Sequence, residues 1–229
     1  MLLGGIDEAG RGPVMGPLVV AGVASAEGEP FSDLGLRDSK QLSPRAREKL
    51  ESVIRERADR VEVNSASAIE LDMWRTTMSL NEIEVRMFGV VARALRCDAY
   101  IVDAADVDAK RFGVQVSAAL RHDAKVFAAH RADENEPIVS AASIIAKVVR
   151  DREMEKISRR MEQKYGLPCG SGYPSDPVTR NFLDTVVREH GRLPEDCRKG
   201  WKTATDCLER NGVRPEAKLT LFDGKPQPV

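Results

Sequence analysis

Soft metal ligands are scarce in this sequence. Its 229 residues include four cysteines, Cys97, Cys169, Cys197 and Cys207, and three histidines. No two cysteines form a CxxC pair, and His122, His130 and His190 have neither ligand nor triad spacing, which argues against a structural zinc site. Positive charge does not predominate either: 35 lysines and arginines stand against 36 aspartates and glutamates. A wholly basic, histone-like binder is excluded. Contact with phosphates has to come from a local basic patch, or from metal ions held by carboxylates. Long apolar runs are also missing. The longest, Pro17 to Ala24, is far short of the roughly 20 residues that span a bilayer. The opening MLLGGIDEAG has no basic n-region and too short an apolar stretch for a signal peptide. A cytoplasmic protein with reduced thiols is expected. GxSxG, Walker A and nucleophilic Cys–His arrangements are absent, as are internal repeats and low-complexity tracts.

Hydrophobic residues make up 42% of the chain, enough for a packed core in one domain, or in one domain with a small appendage. Leu2 to Asp7 and Pro17 to Ala24 read as strands joined by a Gly/Pro-rich connection, and the alternation Arg60 to Asn64 as a third. Ser43-Pro44 has the form of an N-cap followed by proline at the first helical position, with the helix running to about Ala58. Leu80, Ile83, Met87, Val90, Val91 and Leu95 have helical spacing. Ala99 to Val102 is a short buried strand, Arg111 to Leu120 a helix, and Lys125 to Ala129 a strand. A long helix is expected from Pro137 to about Lys164, then helices near Val178–Glu189 and Lys202–Arg210. The order predicts an α/β fold with a mixed sheet flanked by helices, followed by a helical, loop-rich C-terminal appendage.

Four acids stand out. Asp7 and Glu8 end the first strand, Asp103 follows the AYIV strand, and Asp133 comes just after KVFAA. Carboxylates at three strand ends can converge on one sheet edge, where they repel one another without a cation. Hard oxygen ligands favour magnesium or manganese. Any one of these acids alone could simply cap a loop. Neighbours on a regular strand point to opposite faces, so Asp7 and Glu8 cannot both aim side chains at one metal. Either the strand bends at Ala9-Gly10, or Glu8 contributes through its backbone carbonyl.

The segment Gly10-Arg11-Gly12-Pro13 lets backbone approach a ligand closely, and Arg11 can contact phosphate or a sugar edge. With Gly16 it is a poor dinucleotide-binding loop, because it enters a strand rather than a helix. A plain tight turn is the alternative. Ser140, Ser143, Lys147 and Arg150 form one polar stripe on the long helix, suited to a phosphate backbone or else a solvated face. Tyr173, in the constrained loop Gly170 to Pro174, can stack on a sugar or base, or pack against the domain. The run Arg198-Lys199-Gly200-Trp201-Lys202 is a basic cluster compatible with phosphate contacts.

Taken together these segments resemble the ribonuclease HII family, and its archaeal members most. Gly5 to Pro13 resembles the opening signature, and Asp38-Ser39-Lys40 the next motif. Asp103 to Val107 is similar to the segment with the third catalytic acid. His130 to Asp133, followed by Ser140 to Lys147, is similar to the segment with the fourth. Gly170 to Pro177 resembles the loop with the substrate-stacking tyrosine. The resemblance implies a ribonuclease H-like catalytic domain over residues 1–165, a helical appendage over 166–211 and a flexible tail over 212–229. It implies cutting of RNA in RNA–DNA hybrids, and incision 5′ of ribonucleotides embedded in duplex DNA, by a two-metal mechanism using Mg2+ or Mn2+. Asp7, Glu8, Asp103 and Asp133 would serve the metals. Gly10, Arg11 and Gly12 would read the ribose 2′-hydroxyl, Tyr173 would stack at the RNA–DNA junction, and Lys40, Ser140, Ser143 and Lys147 would contact the substrate backbone. A nuclease of the same fold without ribose preference, and a nucleic-acid-binding protein without catalysis, are the rival readings. In the tail, Glu216, Leu219 and Phe222 have the spacing of sliding-clamp-binding peptides. A glutamine usually stands where Glu216 is, and a second aromatic where Asp223 is. A fold-back of Leu219 to Phe222 onto the domain is the alternative.

Overall fold

A computed structural model describes residues 1–26, 31–36 and 42–214. Strands β1 (Leu3–Ala9), β2 (Leu18–Ser25), β3 (Arg60–Ala66), β4 (Ala99–Asp103) and β5 (Lys125–Ala129) form one sheet in the order β3-β2-β1-β4-β5. β1, β2 and β3 pair antiparallel, whereas β4 and β5 run parallel to β1. The helices are α1 (Pro44–Arg57), α2 (Ala68–Trp74), α3 (Leu80–Leu95), α4 (Ala109–Ala119), α5 (Ala132–Asn135), α6 (Pro137–Tyr165), α7 (Pro177–His190) and α8 (Lys202–Arg210). The mixed α/β sheet flanked by helices is the expected architecture. Among the described residues, no helix is long and apolar enough to cross a membrane.

All of β2 is buried, which explains its unbroken apolar run: helices cover it on both faces. On one face α3 and α4 pack Ile83, Phe88, Val91, Leu95 and Phe112 against Ile6, Val20 and Tyr100. On the other, α1 and the first half of α6 pack Ile54, Val139, Ala142 and Ile145 against Val19, Ala21 and Val23. The start of α6 lies almost on β1. A Cβ on Gly5 would stand 2.4 Å from the carbonyl oxygen of Ile138, so only glycine permits the contact. A third core joins the far half of α6 (Met154, Ile157, Met161) to α7 and α8, and it includes Val14 and Met15 from the loop after β1.

Two helices were not anticipated, α2 and α5. The signal for α2 is present, since Ser67 and Glu70 make a reciprocal capping box. α5 is a single turn of four residues, too short to show periodicity. The helix expected from Arg111 starts earlier, at Ala109, because Asp108 caps it by accepting from the N–H of Arg111.

Candidate active site

The parallel pairing of β1 and β4 sets their C-terminal ends side by side. Its register ends at Ile6 opposite Val102, and the next residues are Asp7 and Asp103. Asp133 joins them from α5. Arg131 takes a left-handed conformation (φ 56°) that turns the chain from β5 back towards the sheet end. One carboxylate oxygen from each of Asp7, Asp103 and Asp133 lies within 4.8 Å of the others. Asp7 and Asp133 are buried, and Asp103 is half-buried. Asp103 accepts the N–H of Ala132 at 3.0 Å, which ties β4 to α5.

The electrostatics follow from that crowding. Burial, and then the charge of Asp103, push the Asp7 carboxyl up to about 6; the Ser143 hydroxyl and the N–H of Glu8 oppose this. Glu8 is also held well above the usual carboxylate range, by burial and then by the charge of Asp7. Its Oε2 is buried with no hydrogen-bond partner among the described residues. Asp7 and Glu8, buried and destabilised as anions, make with Asp103 and Asp133 a set of hard oxygen donors that fits a divalent cation. Glu8 itself stands outside the group of three. β1 remains paired through Ala9, opposite Val19, so alternation persists and the chain turns only at Gly10 (φ 94°).

The other predicted positions divide. The Arg11 guanidinium turns inward, donating from Nη1 to the buried Glu84 and from Nη2 to Asn81 at 2.8 Å. The stripe on α6 is not an exposed face, because that half of the helix packs directly on the sheet. Ser140, Ser143 and Arg150 are buried, and Lys147 is half-buried. The Ser140 hydroxyl donates to the carbonyls of Asp133 and Glu136, fixing the α5–α6 junction behind the acids. Arg150 donates to the Ser171 carbonyl at 3.2 Å, and its guanidinium lies 4.9 Å from the ring centre of Tyr173. That ring is 39% exposed beside Gly172, in a loop pinned by Asp176. Lys40 lies outside the described residues, as do Leu219 and Phe222.

The basic cluster near residue 200 is corrected most. Arg198 is fully buried and reaches no solvent phosphate. It donates from Nε to Gly16 O (2.9 Å), from Nη1 to Arg11 O (3.2 Å) and from Nη2 to Gly10 O (2.7 Å). Trp201 stacks on its guanidinium at 4.9 Å. Around it, Val14 and Met15 donate N–H groups to Gly172 O, and Gly16 donates to Asp196 O. By contrast, the N–H groups of Gly10, Arg11 and Gly12 have no hydrogen-bond partner among the described residues. The loop beside the acids thus has a filled carbonyl edge and an open N–H edge. No periodicity reveals a buried arginine of this kind. The only hint was the aromatic three residues on.

Comparison with known proteins agrees with this geometry. The family model for ribonuclease HII matches residues 4–204. A ribonuclease HII of Thermococcus sibiricus is 46% identical over 92% of this chain and 92% of its own. The crystal structure of ribonuclease H2 from Pyrococcus horikoshii OT3 superposes with a TM-score of 0.84, at 44% identity, over 93% of this chain and 100% of that one. The ribonuclease HII in the PCNA:RNase HII complex from Archaeoglobus fulgidus gives a TM-score of 0.80 at 41% identity, covering 88% of this chain and 96% of that one. A sheet that brings three carboxylates to one end, and a match along nearly the whole chain, lead to one conclusion: the chain belongs to the ribonuclease HII family and has the ribonuclease H-like fold of a hydrolase.

Proposed function

We propose that this enzyme hydrolyses the RNA strand of RNA–DNA hybrids and incises 5′ of ribonucleotides embedded in duplex DNA. The observation that carries the reading is the placement of the Asp7, Asp103 and Asp133 carboxylates next to a loop with an open N–H edge. Asp7, Asp103 and Asp133 would hold divalent metal, Mg2+ or Mn2+ in a two-ion arrangement, with Glu8 contributing from the neighbouring position. Metal bound there supplies an activated water and stabilises the leaving 3′-oxygen. The chain's own residues do the rest. The N–H of Glu8 orients Asp7, and the N–H of Ala132 orients Asp103. The Gly10–Gly12 edge offers donors to the ribose 2′-hydroxyl, which distinguishes RNA from DNA. Tyr173 offers a partly exposed ring for stacking at the junction, held from beneath by Arg150.

Residues 166–211 act in this reading as an appendage that buttresses the loop, while the tail after Asn211 reaches for a partner. The Archaeoglobus fulgidus relative was solved in complex with PCNA, which supports a sliding-clamp contact through Leu219 and Phe222. The four buried, unbridged cysteines suit a cytoplasmic enzyme. The deciding experiment is cleavage of duplex DNA carrying one ribonucleotide, beside an all-DNA duplex of the same sequence. Incision of the first alone is expected. Equal rates on both would favour a nuclease without ribose preference.

A further inference from the structure

Arg198 sits far along the chain from the acids, yet every nitrogen of its guanidinium is spent on the loop that follows the first of them. Burying a guanidinium is unfavourable unless it is fully hydrogen-bonded. Arg198 makes no ion pair among the described residues. Its charge is therefore met chiefly by the carbonyl dipoles of Gly10, Arg11 and Gly16, with the Trp201 ring and the nearby charge of Asp72. A peptide unit that turns its carbonyl one way turns its N–H the other. The Gly10 and Arg11 carbonyls share peptide units with the N–H groups of Arg11 and Gly12, so gathering both on one cation holds those two N–H groups in one orientation, while the Gly16 carbonyl, followed by Pro17, anchors the far end of the loop. Those two N–H groups, of Arg11 and Gly12, lack partners among the described residues. Only glycine fits at position 10: a Cβ there would meet Pro17 O at 2.5 Å and the Arg150 side chain at 2.7 Å. Trp201 covers the outer face of the guanidinium, and Asp72 on α2 accepts the N–H groups of Lys199 and Gly200, which fixes the turn between them.

We propose that Arg198 is a positioning residue for ribose recognition, holding the carbonyl edge of the Gly10–Gly16 loop so that its N–H edge is preset for the substrate 2′-hydroxyl. This rests on the reading of that loop as the ribose contact. It adds that discrimination is set from the C-terminal segment rather than from the sheet. Lysine keeps the charge at position 198 but not the planar fork that spans three acceptors, so Arg198→Lys separates fork from charge.

The test measures binding by fluorescence anisotropy, with calcium replacing magnesium to hold back turnover. The probes are a DNA duplex carrying one ribonucleotide and the matching all-DNA duplex. Wild type should prefer the ribonucleotide duplex. In Arg198→Lys that preference should fall about tenfold, as expected for misaligned hydrogen bonds. Affinity for the all-DNA duplex, and for Mn2+ by calorimetry, should stay near wild type. An unchanged preference overturns the proposal. So does an equal loss of both duplexes and of Mn2+, which would mark Arg198 as a folding residue only. Absence of any preference in wild type would instead defeat the ribose reading beneath it. If Arg198→Lys does not fold, Trp201→Leu, which removes the stacked cover, is judged by the same ratio: a fall supports the proposal and an unchanged value overturns it.

Discussion

Asp7 serves two opposed ends. Its burial beside Asp103 and Asp133 prepares a cation site, but the same burial makes it an unhappy anion when no cation is bound. A carboxyl raised in the folded state, from 3.8 to about 6, favours folding while it is protonated. That benefit is complete below the unfolded value and is lost as pH rises through the folded one. Metal-free Asp7→Asn should therefore be more stable than metal-free wild type above about pH 6, by on the order of 1–3 kcal/mol. The gap should close below about pH 4, near the unfolded value. Urea titrations across that range, in chelator, check this, and added Mn2+ should reverse the ranking by stabilising wild type selectively. Asp103→Asn keeps the shape of its side chain and its bond to the N–H of Ala132 while removing a charge. Turnover on an RNA–DNA hybrid should drop by two or more orders of magnitude, roughly the range seen when a key electrostatic group is lost, with the far-ultraviolet circular dichroism unchanged. Near-normal turnover at saturating magnesium would remove Asp103 from the chemistry. The three aspartates were readable because apolar strands delivered each one. Glu8 was readable as an acid, and the strand alternation that sets it apart from the group of three was readable with it.

Among the elements, α6 and β1 carry the most consequence. The helix begins against Gly5, places Ser140 on the carbonyl of Asp133 and buries Ser143 one turn further on. Gly5→Ala would insert a methyl group where backbone already stands, and backbone cannot swing aside as a flexible side chain can. The expected outcome is a loss of about 1–3 kcal/mol, typical of overpacking, together with weaker Mn2+ binding as the start of α6 shifts and carries the Ser140 contact behind Asp133 with it. Denaturant midpoints and calorimetry measure the two effects. Unaltered metal affinity in a destabilised Gly5→Ala protein would show that α6 supports the fold without tuning the acids. Periodicity revealed α6 almost to its ends, because 29 residues give the pattern room. It did not show how deeply the polar stripe is buried. Helical spacing says which residues share a face, and only the packing of α6 on the sheet says that Ser140, Ser143 and Arg150 lie beneath it. The short α5 escaped notice for the opposite reason, although it carries Asp133.

Over the whole molecule, the tail makes a prediction of a different kind. If Leu219 and Phe222 anchor a clamp contact, a peptide spanning Arg214 to Lys225 should bind the organism's sliding clamp at about micromolar strength, on the order of −8 kcal/mol. Leu219→Ala with Phe222→Ala should abolish that binding and leave cleavage of short duplexes intact. A fall in melting temperature of the double variant, with no binding by calorimetry, would place these side chains on the domain instead. The strand order was visible only in the structure, but the mixed sheet and its flanking helices were largely legible, since each strand announced itself. Contacts between Arg198 and Gly10, across 188 positions, were not. No local pattern encodes a partner so distant, and a buried arginine looks on paper like a surface one. The third core has a final implication for anyone wishing to miniaturise or recombine such enzymes. Val14 and Met15 belong to it, and Met15 bridges Cys197. Cutting the chain after α6 would strip apolar cover from the very turn that leaves β1, so a minimal nuclease made that way should aggregate rather than lose selectivity alone. Chimeras should succeed only when the loop and the segment around Cys197 and Arg198 are exchanged as a matched pair, two stretches of sequence inherited as one part.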